Sequence, residues 1–284
     1  MRNWVLLVLA SLLSFSGGAQ KITQSLLWEI SGNGLKSPSY LFGTSHIICA
    51  SDFSFTPVLA EKIKSTKKLF LEIDLSKPNM QQEMLQMMQL EGTSLDKLLG
   101  SDFETINTNF QKITGASLKL FNQFKPFVGI SMLTLKTVPC NTPMQPETVF
   151  MKSAQEAGNP VGGLETVSDQ VAAINAQPLS DQITEFKKMV NNFDSVKLQM
   201  NELIKVYKLN DVERIYQFMQ EQKMTEAFEQ TMLIKRNKNW IPSIIHSIQI
   251  QPTFFAVGAA HLGGKEGVID LLKEKGYQLT PVKY

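Results

Sequence analysis

Short apolar runs bounded by turn residues occur toward both ends of the chain. Runs of this length predict single strands. They lie at 26–30, 39–42, 69–74, 160–164, 253–257 and 277–282. The first two runs flank the turn-forming sequence Ser-Gly-Asn-Gly, so together they predict a hairpin.

Helical periodicity fills most of the remaining sequence. Helices are predicted to begin at Thr56-Pro57 and to lie near 80–90, 101–113, 126–137, 147–157, 166–174 and 265–275. From 180 to 247 the pattern is almost wholly helical, with breaks near 210–211 and 222–223. Strands that alternate with helices predict an α/β fold, in which a central mixed sheet is flanked by helices and carries a largely helical insert at about 180–247.

The first 19 residues have the pattern of a secretory signal peptide. A short start with one positive charge precedes an apolar run over 5–13, and small residues ending in Gly-Gly-Ala follow it. The apolar run has roughly half of the 20 residues that a membrane span needs. We therefore expect residues 1–19 to be removed and a domain of residues 20–284 to be periplasmic or secreted.

The charge balance argues against nucleic acid or anionic lipid as a partner. The formal net charge is +2, and it becomes +1 once Arg2 leaves with the signal peptide, which is too small for electrostatic binding of a polyanion. A hydrophobic content of 43% allows a sizeable core, yet no later stretch is apolar enough to span a membrane. Cys49 and Cys140 can form one disulfide after export or remain buried thiols; the sequence leaves both possibilities open.

Four polar side chains lie at or just beyond the ends of predicted strands: His46, Glu72, Glu165 and His261. In open α/β sheets, functional sites gather beyond the carboxyl ends of strands. Both histidines close a Gly-x-x-His sequence, whose glycine lets the backbone approach a ligand closely. Two imidazoles and two carboxylates suit Zn, Mn or Co, and the same groups can perform acid–base catalysis without a metal.

Each of these side chains also has an ordinary structural interpretation. A histidine at a strand end often only satisfies buried backbone groups, and Glu165 could cap the next helix. Glu72 is predicted to interrupt a buried strand, where a carboxylate needs a partner, and Asp74 would share its face by strand alternation. The third histidine, His246, is predicted to be structural because it lies inside a helix without a glycine motif. Two matching motifs among three histidines favour a functional site.

The same segments resemble the TraB/GumN family, which is related to the Tiki proteases and more distantly to erythromycin esterase-like and ChaN-like proteins. The resemblance rests on five collinear segments that span nearly all of the mature chain. They are YLFGTSHI at 40–47, LEID at 71–74, GLET at 163–166, RNKNW at 236–240 and AVGAAHLGG at 256–264. A local departure is Lys235, which stands where the family more usually has an acidic residue.

The resemblance implies an esterase- and ChaN-like α/β fold with His46, Glu72, Glu165, Arg236 and His261 in the active site. In the Tiki branch it implies a peptidase that uses Mn or Co. By itself, Arg236 would be interpreted as a surface charge. If it reaches the site, its guanidinium can hold a substrate carboxylate or stabilise an oxyanion.

Three functions are compatible with this sequence. The leading hypothesis is a metal-dependent hydrolase, a peptidase, in which His46, His261 and one or both of Glu72 and Glu165 hold the ion. The second is a metal-free esterase in which His46 is the base and Glu72 orients it. The third is a non-catalytic module that sequesters a peptide, haem or another small molecule. A centre shared by His46, His261, Glu72 and Glu165 requires these side chains to converge on one point, and all three functions leave the substrate and the oligomeric state open.

Overall fold

The computed structural model describes residues 24–222 and 226–284. The predicted signal peptide at 1–19 lies outside the described residues. Within these ranges no helix is long and apolar enough to span a bilayer. The described chain forms the α/β architecture that the sequence predicts, a mixed central sheet with helices packed around it.

Strands alternate with helices along the chain, as the apolar runs in the sequence indicate. The strands are β1 (Leu27–Ser31), β2 (Ser39–Thr44), β3 (Ile48–Cys49), β4 (Lys68–Leu71), β5 (Pro143–Met144), β6 (Val161–Gly163), β7 (Thr253–Gly258) and β8 (Gln278–Val282). Among the described residues, six of them form the central sheet in the order β6-β4-β7-β2-β1-β8. The first four in that order are mutually parallel, whereas β1 and β8 add antiparallel strands at one edge.

Strands β2 and β7 lie at the centre of this sheet and are buried along their whole length. Such continuous burial is expected where helices cover both faces of a parallel sheet. Their register pairs Tyr40 with Phe254 and Thr44 with Gly258. The two strands therefore end side by side, and the loops that follow them start from the same edge.

Helices make up most of the rest of the described chain. They are α1 (Pro57–Ser65), α2 (Met80–Met87), α3 (Leu95–Leu99), α4 (Phe103–Thr114), α5 (Pro126–Leu135), α6 (Pro146–Glu156), α7 (Val167–Asn175), α8 (Leu179–Asn191), α9 (Phe193–Tyr207), α10 (Val212–Glu221), α11 (Glu226–Glu229), α12 (Lys235–Ile250) and α13 (Val268–Glu274). Helices α1, α5 and α6 begin with proline, whose fixed φ suits a first turn. A π-helical turn, Gln230–Ile234, leads into α12.

The predicted strand over 69–74 is wrong at its carboxyl end. Strand β4 stops at Leu71, so Glu72 and Asp74 follow the strand, and strand alternation does not relate their side chains. The chain turns here because the Glu72 carbonyl accepts a hydrogen bond from the Glu165 N–H, and the Asp74 carboxylate accepts two from Ser76. Asp74 thus stabilises a local turn.

Cys49 and Cys140 form a disulfide with a Cα–Cα distance of 5.9 Å. The bond lies beside the small antiparallel pair of β3 and β5, in which Cys49 pairs with Pro143. It therefore ties the segment that follows His46 to the segment that precedes α6. This resolves the alternative that the sequence left open.

Candidate functional site

The two Gly-x-x-His segments pack against each other at the ends of β2 and β7. A Cβ on Gly258 would lie 2.8 Å from His46 Nε2, and a Cβ on Gly43 would lie 3.0 Å from the Cα and Cβ of Ala259. Each motif's glycine therefore makes room for the other motif's loop. The Gly-x-x-His spacing occurs twice because each glycine leaves space for the loop of the other motif.

His46 is the open member of the pair, with 59% of its side chain exposed. Its Nδ1 lies 2.8 Å from Glu147 Oε1, and its Nε2 lies 3.3 Å from Glu72 Oε1. Thr44 donates a hydrogen bond of 2.5 Å to the same Glu147 oxygen. Both ring nitrogens thus face buried carboxylates, although the ring itself borders a cleft.

The charge around His46 favours its protonated form. Burial of the ring edge lowers the pKa of His46, but the negative charge of Glu72 and the hydrogen bonds to Glu147 and Glu72 outweigh it, so the pKa is raised well above its usual range. In Glu72, burial raises the pKa, but the positive charges of His46 and Arg236 hold it well below the usual range. The two groups form an ion pair at neutral pH.

His261 is the closed member of the pair, with only 4% of its side chain exposed. Asn237 donates through its amide nitrogen to the Glu266 carbonyl, so its oxygen faces His261 Nδ1 at 2.6 Å. This fixes the tautomer with the proton on Nδ1 and leaves Nε2 to accept a hydrogen bond from Arg236 at 3.1 Å. Burial lowers the pKa of His261 to about 3, so this imidazole is neutral.

Arg236 is buried between the two histidine loops, and all five of its N–H groups have partners. Nε donates to Glu165, Nη2 donates to Glu72 and Glu165, and Nη1 donates to the Met232 carbonyl and to His261. Trp240, on the next turn of α12, also packs its ring 4.9 Å from the guanidinium carbon. The guanidinium reaches the site, but all of its N–H donors are hydrogen-bonded to other groups of the protein.

Glu165 serves as the anchor for this arginine. Arg236 approaches both of its oxygens, and the Trp240 indole N–H donates to Oε2 at 3.0 Å. Glu72 Oε2 lies 2.6 Å from Arg236 Nη2, and Glu72 Oε1 accepts the Gly258 N–H at 2.8 Å. The structure therefore brings together all five residues predicted for the site, of which His46 alone is exposed and the other four are buried.

The open side of this cluster is a cleft of about 410 Å³. His46, Glu72, Glu147 and Arg236 line its floor. A larger cavity of about 860 Å³ lies elsewhere, beside Cys140, and has none of these residues in its wall. The smaller cavity is the better candidate, because it alone of the two is lined by a histidine and buried carboxylates.

Most of the atoms predicted to hold a metal ion are bonded to Arg236 in this structure. Among the described residues, no group of three or more His, Cys, Asp or Glu side chains is placed to hold a metal ion. The physical reason is that Arg236 engages His261 Nε2, Glu72 Oε2 and both oxygens of Glu165. A metal at these atoms would have to displace a buried cation.

Sequence reasoning missed Glu147, which holds the Nδ1 side of His46. Glu147 follows Pro146 in the first turn of α6, a position where acidic residues usually face solvent and interact with the helix dipole. No local pattern distinguishes it from such a residue. His246, predicted to be structural, is exposed on α12 and remote from the cleft lining.

Comparison with known proteins finds a family model that covers most of the chain. The family model described as the TraB/PrgY/gumN family matches residues 26–281. No solved structure matches the chain at a significant level.

Similarity to individual proteins is distant but extends over most of the chain. A Danio rerio protein named Metalloprotease TIKI2 is 20% identical over 92% of this chain and 61% of its own length. Its Xenopus tropicalis counterpart is 20% identical over 92% of the chain and 60% of its length, and Danio rerio Metalloprotease TIKI1 is 21% identical over 97% and 68%. The chain thus spans about three fifths of the length of the first two relatives. The match over residues 26–281 shows that the chain belongs to the TraB/PrgY/gumN family.

Proposed function

We propose that this protein is a hydrolase that cleaves peptides, with His46 as the residue that exchanges protons with the substrate. The observation that carries the proposal is the setting of His46, an exposed imidazole at a cleft with each ring nitrogen on a buried carboxylate. The relatives named metalloproteases support peptides as the substrate class. The signal pattern at 1–19 supports action in the periplasm or outside the cell.

In the proposed reaction His46 first releases its Nε2 proton to solvent, and Nε2 of the neutral ring then takes a proton from a water molecule in the cleft as the water attacks the scissile carbonyl. Glu147 accepts the Nδ1–H bond and stabilises the imidazolium that forms, as an orienting carboxylate does beside a catalytic histidine. The imidazolium then gives its Nε2 proton to the departing amine. Between turnovers Nε2 is protonated again from solvent and pairs with Glu72.

A second candidate is a metal-dependent form of the same hydrolase, with Mn, Co or Zn. The charge count favours it, because a cation that displaced the His46 proton would lie beside three carboxylates, Glu72, Glu147 and Glu165, and one guanidinium. The surplus of two negative charges equals the charge of one divalent cation. A cation entering the cleft would meet His46 Nε2 and Glu72 Oε1.

The test is digestion of a mixed peptide library by the purified protein, read by mass spectrometry. Parallel reactions contain a chelator or added Mn, Co or Zn, and elemental analysis of the purified protein accompanies them. The variant is His46→Ala, and the matched control is His246→Ala, which removes an exposed imidazole from α12. We expect the first variant to lose cleavage and the second to retain it.

The outcomes separate the alternatives. Cleavage that survives a chelator supports the metal-free reaction, and cleavage that needs added metal supports the second candidate. Cleavage that persists in His46→Ala overturns the proposed role of His46. Peptide binding without cleavage under every condition would instead support the sequestering function.

A further inference from the structure

The wall of the cleft above His46 is mainly apolar, with Ser131, Gln145 and Gln170 as its uncharged polar residues. Its apolar residues come from four separate parts of the chain that the sheet brings together: Leu75, Phe127, Ile174 and Met232. Phe127 lies one turn before Ser131 on α5, and both face the cleft, whereas Leu133 of the same helix packs into a separate apolar cluster between α4, α5 and α8. One face of α5, an almost wholly apolar helix, therefore lines the cleft.

Met232 reaches the cleft from the π-helical turn that precedes α12. The carbonyl of Met232 accepts a hydrogen bond from Arg236 Nη1 at 2.9 Å, and its side chain lines the cleft. π-turns of this kind occur frequently at functional sites. A methionine here gives a wall that adapts to the shape of its ligand.

The cleft offers no cation to an acidic ligand. Arg236 is the one lysine or arginine among the described residues that line it, and each of its N–H groups already has a protein partner. His46 is paired on both sides, by Glu72 and Glu147. A carboxylate entering the cleft would lose its hydration and find no free cation, only the uncharged donors of Ser131, Gln145 and Gln170, and it would lie beside the carboxylates of Glu72 and Glu147.

We infer that the cleft is a subsite for an uncharged residue with a bulky apolar side chain, adjacent to the scissile bond, and that it excludes Asp and Glu there. The inference rests on the proposed peptidase function and names its substrate class. It also implies that the site does not capture the terminal carboxylate of a peptide. The volume of about 410 Å³ lies within the range of pockets that enclose small ligands.

The experiment compares matched peptides in which the residues on either side of the cleaved bond are Leu, Phe or Met in one set and Asp or Glu in the other. We expect kcat/KM for the apolar set to be higher by about 10- to 200-fold, the range that an apolar pocket supplies. Equal cleavage of both sets would overturn the inference and leave the peptidase proposal standing. Cleavage of no peptide in any set would instead overturn the proposed function.

Ser131→Lys provides a gain-of-function test. Ser131 lines the cleft and donates its hydroxyl to the Phe127 carbonyl one turn earlier. The control is Thr108→Lys, because Thr108 is exposed on α4, makes the same type of bond to the Glu104 carbonyl, and is remote from the cleft. We expect only the cleft variant to raise the ratio of acidic to apolar cleavage, by about tenfold or more. An equal ratio in the two folded variants would contradict the assignment.

Discussion

Substituting Gly258 by alanine should separate catalysis from stability. The added Cβ would lie 2.8 Å from His46 Nε2 and 3.2 Å from Glu72 Oε1. Ordinary van der Waals contact begins near 3.4 Å, so the imidazole must retreat by about 0.6 Å. The backbone need not change, because φ −53° and ψ 134° at this position are accessible to alanine.

Moving the imidazole should impair the site and leave the stability of the fold nearly unchanged. His46 is largely exposed, so its ring can turn toward solvent without disturbing the core. A glycine-to-alanine change at a compatible position also gains about 0.4–1 kcal/mol from the unfolded state, which offsets the local contact. We expect a change in unfolding free energy below about 1 kcal/mol and a fall in kcat/KM of roughly 10- to 100-fold, since a misplacement of about 1 Å can cost 100-fold.

Gly43→Ala is the matched comparison, because its Cβ would meet the backbone and Cβ of Ala259 at 3.0 Å and Leu262 at 3.2 Å. Those atoms are buried and cannot move aside, so overpacking should destabilise the fold by about 1–3 kcal/mol. Urea denaturation and peptide hydrolysis of both variants test the contrast. Full activity in Gly258→Ala, or unchanged stability in Gly43→Ala, would refute the reciprocal packing of the two motifs.

Three further changes follow from the contacts of the site. Glu147→Gln should lower the pKa of His46, measured by NMR titration of the imidazole. Because the raised pKa stabilises the fold fully below about pH 6.5 and this gain is lost only as pH rises through the folded pKa, the variant should be less stable below the folded pKa and similar to the parent above it. Arg236→Met should destabilise the fold by about 3–5 kcal/mol in urea, since it leaves buried carboxylates unpaired; a stable variant would contradict that. Cys140→Ser should lower stability by up to about 4 kcal/mol, measured against Cys49→Ser/Cys140→Ser, which should match it.

The sequence predicted the fold well because its strands carry strong local signals. Strand β7, for example, is an unbroken run of Thr253 to Gly258 with no charge, which only a sheet centre accommodates. The error at β4 arose because Glu72 and Asp74 continue an alternating pattern after the strand has ended. The pair of β3 and β5 went unnoticed, since two residues per strand are too few for any periodicity.

Most members of the site were predictable, with Glu147 the exception, but its geometry was not. Glycine spacing marked His46 and His261, and the position after each strand marked Glu72 and Glu165. The sequence treated the two histidines as equivalent, whereas 59% of one side chain and 4% of the other is exposed. That difference in exposure arises from the helices that cover each loop. The placement of these helices depends on tertiary packing, which a short motif does not specify.

Stability alone does not account for the buried charges, whereas the difference in exposure between His46 and His261 does. A buried guanidinium with two carboxylates costs desolvation energy, and an apolar cluster of the same volume would often be at least as stable. Here Arg236 fixes Glu72, and Glu72 in turn lies beside the open His46. The buried network therefore holds one carboxylate ionised and rigid at the base of a cleft, where its charge controls the proton on the single imidazole that a substrate can reach.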